Sequence, residues 1–403
     1  MIYGIDYLKN KLAIKRRRVC KRYRYYDMKH VAQDMRISTP PNLLFWMQTL
    51  GWCATAVDAL ADRLVFREFA DDNFNINEIY GMNNPDVLYH SAILGALIGS
   101  CDFIYVNYDS DGYPTLQVID GMNATGTIDS VTGMLEEGYA VLERDDNENP
   151  TLEAYFVKGR TEYHYTKDKV VTVVDNVAPY PLLVPIIYKP DAVRPFGHSV
   201  ISRACMSIVD SAMRTVKRSE ISAEFYSVPQ KYVVGTNPDA EPMDKWTAAM
   251  SALLEITKDE DGDVPKLGQF TQQSMAPHLD QLKMFASLFA GETGLTLEDL
   301  GFSSGNPASS DAIKASHESL RLKARAAQRS FGSGFLNAGY LAACIRDKQA
   351  YKRSQFYLTT PKWEPVFEPD SSAMSGIGDA AIKLQQSFPE YFTDEKLRDL
   401  MGI

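Results

Sequence analysis

A serine-rich stretch, residues 301–305 (GFSSG), has residue types and spacing that come close to a catalytic motif. It matches G-x-S-x-G, the nucleophile elbow of serine hydrolases, in which a serine occupies a sharp turn between a strand and a helix. The residues before it have the pattern of a helix and a turn, Asn306 and Pro307 delay the next helix, and the only later histidine is His317. This context favours a flexible polar loop, and hydrolysis by Ser303 is kept only as a third hypothesis.

Two acidic stretches match a calcium loop only in part. In residues 259–263 (DEDGD) the glycine is fourth where an EF-hand needs it sixth, and the twelfth position is Phe270, which cannot bind a metal. Residues 109–112 (DSDG) are better explained as the turn of a β-hairpin. The six histidines lack metal-ligand spacing, and no phosphate-binding glycine motif or H-E-x-x-H is present. The sequence therefore predicts no cofactor and no catalytic metal, and we expect a protein that is not an enzyme.

Helices must position the polar loop on both sides. A helix from Pro277 to Ala290 precedes it, and a very long helix follows, with Ser309, Ser310 and Asp311 as candidate N-caps. The long helix carries one apolar stripe at spacings of three, four or seven residues: Ile313, Leu320, Ala324, Ala327, Phe331, Phe335, Ala338 and Ile345. A helix of this kind would be roughly 50 Å long at ~1.5 Å per residue, which favours a large assembly over a small pocket.

The N-terminal half divides into a helical part and a strand-rich part. The pattern of residues 5–35 predicts a helix with basic residues and tyrosines on one side. The pattern of residues 43–64 predicts a second amphipathic helix. Basic and aromatic residues together can bind single-stranded nucleic acid, but a solvated face over packed tyrosines is the favoured interpretation. Residues 65–188 contain short apolar runs between turn signals, interrupted by a helix over 85–99, which is typical of an α+β unit with hairpins.

The C-terminal half alternates long helices with small inserted elements. A helix to about Tyr226 is followed by a compact insertion with a strand at 231–234, a helix over 242–256 and an extended piece near 268–270. Beyond Pro361, a proline-spaced linker is predicted to lead to two short helices over 375–386 and 393–401.

Composition and charge limit the possible functions. The 403-residue chain is 45% hydrophobic and 23% charged, which predicts a folded protein of two or three units. Its five cysteines are far apart and odd in number, which favours a reducing compartment over a disulfide framework. No apolar run is long enough for a membrane span, so we expect a soluble protein, cytoplasmic when made. The net charge of −10 argues against a protein that grips nucleic acid tightly.

Three blocks of residues resemble the portal proteins of tailed bacteriophages, in the branch found in siphoviruses and prophages. The first is Tyr25-Tyr26 with Asp27 at the end of the first helix. The second runs from FGHSVISR at 196–203 to SAEFYSVPQ at 222–230, and the third from ETGL at 292–295 to FG at 331–332. The resemblance extends in order along nearly the whole chain.

The resemblance implies an α+β, portal-type subunit with named parts. These are a wing at 1–190, a first stem helix at 191–228, an α/β clip at 229–276, a second stem helix at 277–293, a tunnel loop at 294–308, a long kinked wing helix at 309–360 and short C-terminal crown helices at 361–403. Twelve copies would form a ring at one capsid vertex of the virion, assembled in the host cytoplasm. Double-stranded DNA would pass through it during packaging and ejection.

The resemblance also implies roles for particular residues. The tunnel-loop residues facing DNA would be Ser303, Ser304, Gly305 and Asn306. The clip residues docking the terminase large subunit and later the head-completion adaptor would be Lys245, Glu255, Asp259, Glu260 and Asp261. The subunit-interface residues on the stem and long helices would be Ile201, Ile208, Phe225, Phe285, Phe289 and Phe331. Major capsid and scaffold proteins are further expected partners, and a membrane is not.

One alternative remains beside this expectation and the serine hydrolase. The chain could be another virion morphogenesis or connector protein, whose long helices bind partner proteins without surrounding DNA. A ring with a central hole would distinguish a portal from such a protein.

Overall fold

The structure is a computed structural model, and it describes residues 2–33, 45, 47–227, 231–234, 266–269, 274–302, 310–367, 379–380, 382–383 and 386–387. The chain divides into two compact units. The larger unit comprises Met1–His30, Gly51–Met206 and Ala290–Ile403, and the smaller one comprises Val31–Leu50 and Ser207–Phe289. The mixture of helix and sheet agrees with the α+β class predicted from the sequence.

The helices of the described chain are α1 Ile5–Tyr26, α2 Trp52–Ala61, α3 Ile76–Gly81, α4 Pro85–Gly99, α5 Arg203–Ser227, α6 Ala276–Thr293, α7 Ser310–Ser316 and α8 Glu318–Arg346, with a 3-10 turn at Arg353–Phe356. The predicted helix over 85–99 is confirmed at both ends. Pro85 fits the first helical turn, where its missing N–H is not needed, and Ser100 leaves the helical conformation with φ 89°.

The strands are β1 Phe66–Ala70, β2 Cys101–Tyr108, β3 Pro114–Ile119, β4 Ala124–Ile128, β5 Leu135–Arg144, β6 Pro150–Val157, β7 Arg160–Tyr165, β8 Val170–Asp175, β9 Leu183–Ile187, β10 Lys231–Val234, β11 Lys266–Gln269 and β12 Thr360–Trp363. They form sheets of order β1-β12, β10-β11, β3-β2-β9 and β4-β5-β6-β7-β8. Every pairing among the described strands is antiparallel. The strands β4 to β8 pair in sequence order, as expected for hairpins, whereas β1–β12 and β2–β9 join strands that are distant in the chain.

The three-stranded sheet is covered on both faces. On one face Asp102 of β2 lies against α4, and its register partner Ile186 lies against Gly334 of α8. On the other face the Tyr105 Oη atom is 2.5 Å from the Tyr163 Oη atom of β7, so the five-stranded sheet covers that side. Because both faces are covered, the first six residues of β2 are all buried.

A glycine in α4 explains how a carboxyl group fits beneath a helix. A Cβ atom at Gly95 would lie only 1.7 Å from the Asp102 Oδ2 atom, so only glycine leaves room for this side chain. The Gly121 N–H donates a hydrogen bond of 2.9 Å to Asp102 Oδ1. Burial, with repulsion from Asp120, raises the pKa of Asp102 to about 8.

The first helix packs on the five-stranded sheet. Leu8 and Leu12 of α1 form a buried cluster with Tyr139, Val141, Tyr155 and Val157. The carboxylate of Glu137 accepts hydrogen bonds of 3.0 Å from the N–H groups of Tyr3 and Gly4, which fixes the start of α1. The helix ends at Tyr26 and not near residue 35, because Met28 adopts φ 56° and His30 stacks on the Tyr25 ring.

The proline-spaced linker predicted after Pro361 is wrong at its first residues. Residues Thr360–Trp363 form β12, which pairs with β1 from nearly 300 positions earlier in the chain. The pair borders an aromatic cluster in which Phe66 contacts Tyr89, Phe335 and Trp363 at centroid distances of 4.4, 5.6 and 5.1 Å. Long-range aromatic packing therefore decides the conformation of this segment.

The long kinked helix predicted at 309–360 is divided into two helices and ends before residue 360. Its start at Ser310 agrees with the predicted N-cap region, but His317 separates α7 from α8, and α8 ends at Arg346. Seven of the eight stripe residues are buried, whereas Ile313, in α7, is 45% exposed. At ~1.5 Å per residue α8 alone is about 43 Å long.

The smaller unit contains most of α5 and α6 and the β10–β11 hairpin. The strand predicted at 231–234 is confirmed, and the extended piece near 268–270 is β11, which pairs Lys231 with Gln269. The Thr215 hydroxyl donates a hydrogen bond of 3.1 Å to Gln281 Oε1, which joins α5 to α6. The helix predicted over 242–256 lies outside the described residues, as do most of the residues of the two predicted C-terminal helices. Within the described part of the chain, no helix combines the length and apolar character that crossing a membrane requires.

Candidate functional site

Two predicted groups of site residues lie outside the described residues. They are the tunnel-loop residues Ser303, Ser304, Gly305 and Asn306, and the clip residues Lys245, Glu255, Asp259, Glu260 and Asp261. Their roles stay predictions. The described residues on both sides of the polar loop show how the chain enters and leaves it.

The predicted interface residues divide by burial. Ile201, Phe289 and Phe331 are at most 1% exposed, so their side chains pack inside the chain and have no surface to give to another subunit. Ile208 and Phe285 are half-buried, and for them the interface role stays a prediction. Phe225 lies in α5, but its side chain is outside the described residues.

The end of α6, on the N-terminal side of the loop, is held by α8. The Lys323 Nζ atom donates a hydrogen bond of 2.9 Å to the Glu292 carbonyl, and the Ser202 hydroxyl donates one of 2.8 Å to the Glu292 carboxylate. Gly294 then reverses the chain with φ +83°, a conformation that favours glycine. A Cβ atom at this position would also lie 2.9 Å from Ser319 Oγ, so a larger residue would have to displace this side chain.

A carboxylate and a histidine join the two sides of the loop. Asp299 Oδ2 accepts hydrogen bonds from the Thr296 N–H and hydroxyl, at 2.8 and 2.9 Å, and lies 3.1 Å from His317 Nε2. His317, between α7 and α8, places its Nδ1 atom 2.9 Å from the Ile313 carbonyl oxygen. Although burial opposes the charged form, the hydrogen bonds from Thr296 and His317 hold the pKa of Asp299 below its ordinary value.

These contacts argue against the hydrolase hypothesis. A nucleophile elbow needs a strand directly before the serine, whereas the described residues before Ser303 form α6 and a turn. Both ring nitrogens of His317 already face oxygen acceptors, Asp299 and the Ile313 carbonyl. His317 is therefore already engaged through both ring nitrogens, in contacts that hold the two sides of the loop.

The second partial calcium motif is a hairpin turn, as predicted. The Asp109 carboxylate accepts hydrogen bonds from the N–H groups of Asp111 and Tyr113, at 3.0 and 2.7 Å, and Gly112 has φ +82°. The turn joins β2 to β3. The other acidic stretch, 259–263, lies outside the described residues.

Several exposed apolar side chains near the loop were not predicted. Leu297 in the turn, Ile313 in α7 and Leu322 in α8 are 39%, 45% and 55% exposed. The sequence pattern identified one apolar stripe of the long helix, and one member of that stripe, Phe331, was expected at a subunit interface. Leu322 lies outside that stripe, and this was the available signal that α8 has a second, apolar side.

Comparison with known proteins shows which proteins the chain is similar to. No family model matches the sequence. The chain is 23% identical over 398 residues to the portal protein of Mycobacterium phage L5, covering 94% of this chain and 81% of that protein. It is 27% identical over 225 residues to the portal protein of Mycobacterium phage D29, covering 54% of this chain and 45% of that protein. The resemblance to phage portal proteins that the sequence blocks predicted is therefore confirmed.

Three solved structures that contain a chain similar to this one come from gene transfer agent particles. One is a virion of the native particle, with 14% identity, TM-score 0.45 and coverage of 87% of this chain and 89% of that chain. Two others are necks: one of the native particle computed with C12 symmetry, at TM-score 0.45, and one of the empty particle computed with C6 symmetry, at 0.49. The matched chain of each neck is 13% identical to this chain. The matches cover 87% of this chain and 89% and 90% of the two neck chains.

Proposed function

We propose that this chain is a portal, or head-to-tail connector, protein of a virion. Copies of it form a ring at one capsid vertex, through which double-stranded DNA is packaged and later ejected. The ring docks the terminase large subunit first and a head-completion adaptor afterwards. The observation that carries this proposal is the similarity over 94% of the chain to a protein named as a portal protein.

The charge of the chain supports a channel that passes DNA without holding it. Affinity for DNA comes mainly from Lys and Arg that neutralise phosphates, and this chain has a net charge of −10. One strong phosphate contact from each of twelve subunits would add up to an affinity that stalls movement. The small polar residues Ser303 to Asn306 would offer only weak contacts. A repeat of ~10.5 base pairs also does not match twelvefold symmetry, so few subunits would meet a phosphate at once.

An edge strand in the larger unit supports assembly with further copies. Within the described sheets, β8 pairs only with β7, and Val170, Val171 and Val173 are 51%, 50% and 53% exposed. An apolar edge strand on a free monomer attracts other strands, and natural proteins usually protect such edges with charge, proline or a covering element. We propose that a neighbouring subunit covers this edge in the ring, together with the half-buried residues Ile208 and Phe285.

The clip residues would dock the motor and the adaptor. Glu255, Asp259, Glu260 and Asp261 make an acidic group in this insertion, with Lys245 nearby in sequence. Charge reversal of the acidic group is expected to block terminase docking but to leave ring formation intact. Normal DNA packaging by such a variant would contradict this assignment.

Electron microscopy of the purified full chain tests the proposal. We expect rings with a central hole wide enough for duplex DNA, ~20 Å across, at a mass that mass photometry assigns to a closed oligomer. A stable monomer or dimer at high concentration, with and without scaffold protein, would favour the connector without a channel. For the hydrolase, Ser303→Ala should leave any esterase signal of the preparation unchanged.

A further inference from the structure

A cavity of about 480 Å³ in the larger unit is lined by an unusual number of cations. Its walls come from α1, the junction of α4 with β2, β4 and the segment before α5. The cationic lining residues are Lys11, Lys15, Arg18, Arg22 and Arg194. Among the described residues that line the cavity none is acidic, although the whole chain has a net charge of −10.

The spacing of four of these cations places them on one side of α1. Positions 11, 15, 18 and 22 are separated by four, three and four residues, which brings side chains onto one face of a helix. Arg194 approaches from the segment that precedes α5. The cavity is therefore cationic from two different parts of the chain.

The cations of this face have neutral partners, unlike other cations of the same helix. Lys11 donates to the Gly126 carbonyl at 2.7 Å, Lys15 to the Ala124 carbonyl at 3.1 Å, and Arg22 to the Gly99 carbonyl at 2.8 Å.

Elsewhere on α1, Lys9 pairs with Glu153 at 2.5 Å and Arg16 with Glu148 at 3.0 Å. Over the described part of the chain, Arg18 makes no hydrogen bond or ion pair. The positive charge facing the cavity is not balanced by a bonded carboxylate.

The nearest carboxyl groups form no ion pair with the cavity cations, although the charge of Glu137 partly offsets the lowering of the Lys11 pKa. Asp102 lies behind Lys15, but it is 2% exposed and its raised pKa of about 8 leaves it mostly protonated at neutral pH. Asp191, three residues before Arg194, is engaged by His198 Nε2 at 2.6 Å. Glu137 binds the start of α1.

An unpartnered hydroxyl group gives an independent sign of a missing ligand. Thr125 lines the same cavity, is 1% exposed, and its Oγ1 atom has no hydrogen-bond partner in the described structure. A buried hydroxyl without a partner is costly, and native structures rarely leave one. A ligand with oxygen acceptors in the cavity would satisfy it.

Mutual repulsion of the cations also favours an anion in the cavity. Burial and the neighbouring Lys15 lower the pKa of Lys11. Burial and the neighbouring Arg18 and Arg194 lower the pKa of Arg22. An anion between these side chains would relieve both effects.

We propose that this cavity is a binding site for a phosphate-type oxyanion, held by the five cations and the Thr125 hydroxyl. The donors come from α1, from the segment before α5 and from β4, which suits a tetrahedral group with several acceptor oxygens more than a planar carboxylate. The source is either free phosphate or the phosphate of a nucleic acid strand. The site lies within one chain and does not depend on ring formation.

Titration of the full chain with inorganic phosphate and pyrophosphate tests the proposal. Isothermal calorimetry at constant ionic strength, with chloride as the reference anion, should show saturable binding of one anion per chain. The double variant Arg18→Gln, Arg194→Gln changes two exposed residues and should weaken binding at least about tenfold, since charge-assisted hydrogen bonds are lost. The matched control Arg17→Gln, an exposed cation of α1 outside the cavity, should bind like the wild type.

A second variant keeps the test independent of the charge changes. Thr125→Val keeps the shape and removes the hydroxyl. It should weaken phosphate binding several-fold, while the ligand-free protein unfolds at the wild-type temperature or above it, because an unpartnered buried hydroxyl is removed. Absence of saturable binding by the wild type, or equal binding by wild type and both cavity variants, would overturn the proposal.

Competition distinguishes the sources. If short single-stranded or duplex DNA binds and phosphate displaces it, with the same loss in the Arg18→Gln, Arg194→Gln variant, the site takes a backbone phosphate. If only phosphate and pyrophosphate bind, the site takes the free anion. A polyglutamate peptide that binds at this cavity while phosphate does not would overturn the phosphate assignment in favour of an acidic protein segment.

Discussion

The two main sheets of the larger unit differ in how completely the chain covers them. The three-stranded sheet has helices α4 and α8 on one face and the five-stranded sheet on the other, so β2 is buried almost throughout. The five-stranded sheet ends in β8, whose valines are about half exposed. One sheet is complete within a single chain, and the other is left open.

The difference shows two uses of apolar residues in one unit. In β2 they are buried by the folding of the chain itself, and burying a large apolar side chain contributes about 1.5–3 kcal/mol. In β8 the same residue types remain in contact with water, so their burial is available to association. A variant in β8 should therefore change assembly, and a variant around β2 should change folding.

The largest expected effect is the loss of rings when the open edge is charged. In the double variant Val171→Lys, Val173→Lys, two lysines replace half-exposed valines of the edge strand, where lysine is a natural protection against strand pairing. We expect the ring population seen by mass photometry to disappear while circular dichroism and thermal unfolding of the monomer stay near wild type.

Val131→Lys is the matched control, because this valine is 90% exposed and lies in a turn. It should assemble like the wild type. Rings of normal mass and stability from the Val171→Lys, Val173→Lys variant would remove β8 from the interface.

The next largest effect is expected in the buried aromatic cluster around Phe335. Phe335 of α8 is fully buried and contacts Phe66, Tyr89 and Trp363 at centroid distances of 5.6, 4.8 and 6.2 Å. Phe335→Ala should lower the free energy of unfolding by about 3–5 kcal/mol, measured by urea denaturation of the monomer. Tyr357→Ala, at a 75% exposed aromatic residue, should cost less than about 1 kcal/mol. Similar losses in both variants would mean that the aromatic cluster does not carry the stability of this region.

Elements that local signals determine were predictable from the sequence. The helix Pro85–Gly99, the turn at Gly112 and the strand Lys231–Val234 agree with the residues expected. Each is decided by neighbouring residues: a proline at the first helical turn, a glycine at positive φ, or a short apolar run. The three resemblance blocks added the similarity to phage portal proteins, which spacing alone could not give.

Features that depend on distant residues were not predictable. Pro361 suggested a linker, yet Thr360–Trp363 is a strand because β1 lies beside it in the fold. The basic side of α1 was interpreted as a solvated face, because the spacing of Lys11, Lys15 and Arg22 does not reveal that β4 and the segment before α5 close over it. Likewise Phe289 and Phe331 were assigned to a subunit interface, since a sequence pattern does not distinguish burial within a chain from burial between chains.

A smaller effect tests the carboxyl group hidden beneath α4. Burial raises the pKa of Asp102 from 3.8 to about 8, so the folded state holds a proton that the unfolded state releases between these values. The stability contributed by the protonated group is fully present below the unfolded-state pKa of 3.8. It is lost as the pH rises through the folded-state pKa of about 8. The unfolding free energy of wild type relative to Asp102→Asn should therefore fall between pH 5 and pH 8, by up to about 1.4 kcal/mol per pH unit.

Urea denaturation at each pH measures this difference. Asp111→Asn, at an exposed carboxyl group in the β2–β3 turn, is the matched control, and the change with pH for Asp102→Asn is taken relative to it. A difference between wild type and Asp102→Asn that stays flat, or rises with pH, would show that Asp102 is charged in the folded protein.

The smallest effect is expected at Asp299, beside the polar loop. Its pH dependence has the opposite sign to that of Asp102. Hydrogen bonds from Thr296 and His317 outweigh burial and lower the pKa of Asp299, so here the folded state favours the charged form. The stabilisation is present above the unfolded value of 3.8 and is lost as the pH falls through the lower folded value. Asp299→Asn should cost about 1 kcal/mol near neutral pH, because the amide keeps one acceptor oxygen and loses the charge. Thermal unfolding from pH 5 down to pH 3 measures this, and the difference in stability between wild type and Asp299→Asn should become smaller over that range. Asp102→Asn behaves in the opposite way: acidification from pH 8 to pH 5 raises the stability of the wild type relative to that variant. A gap at Asp299 that widens on acidification would mean that burial dominates at this carboxylate too, and that the contact between Asp299 and His317 does not hold the two sides of the loop.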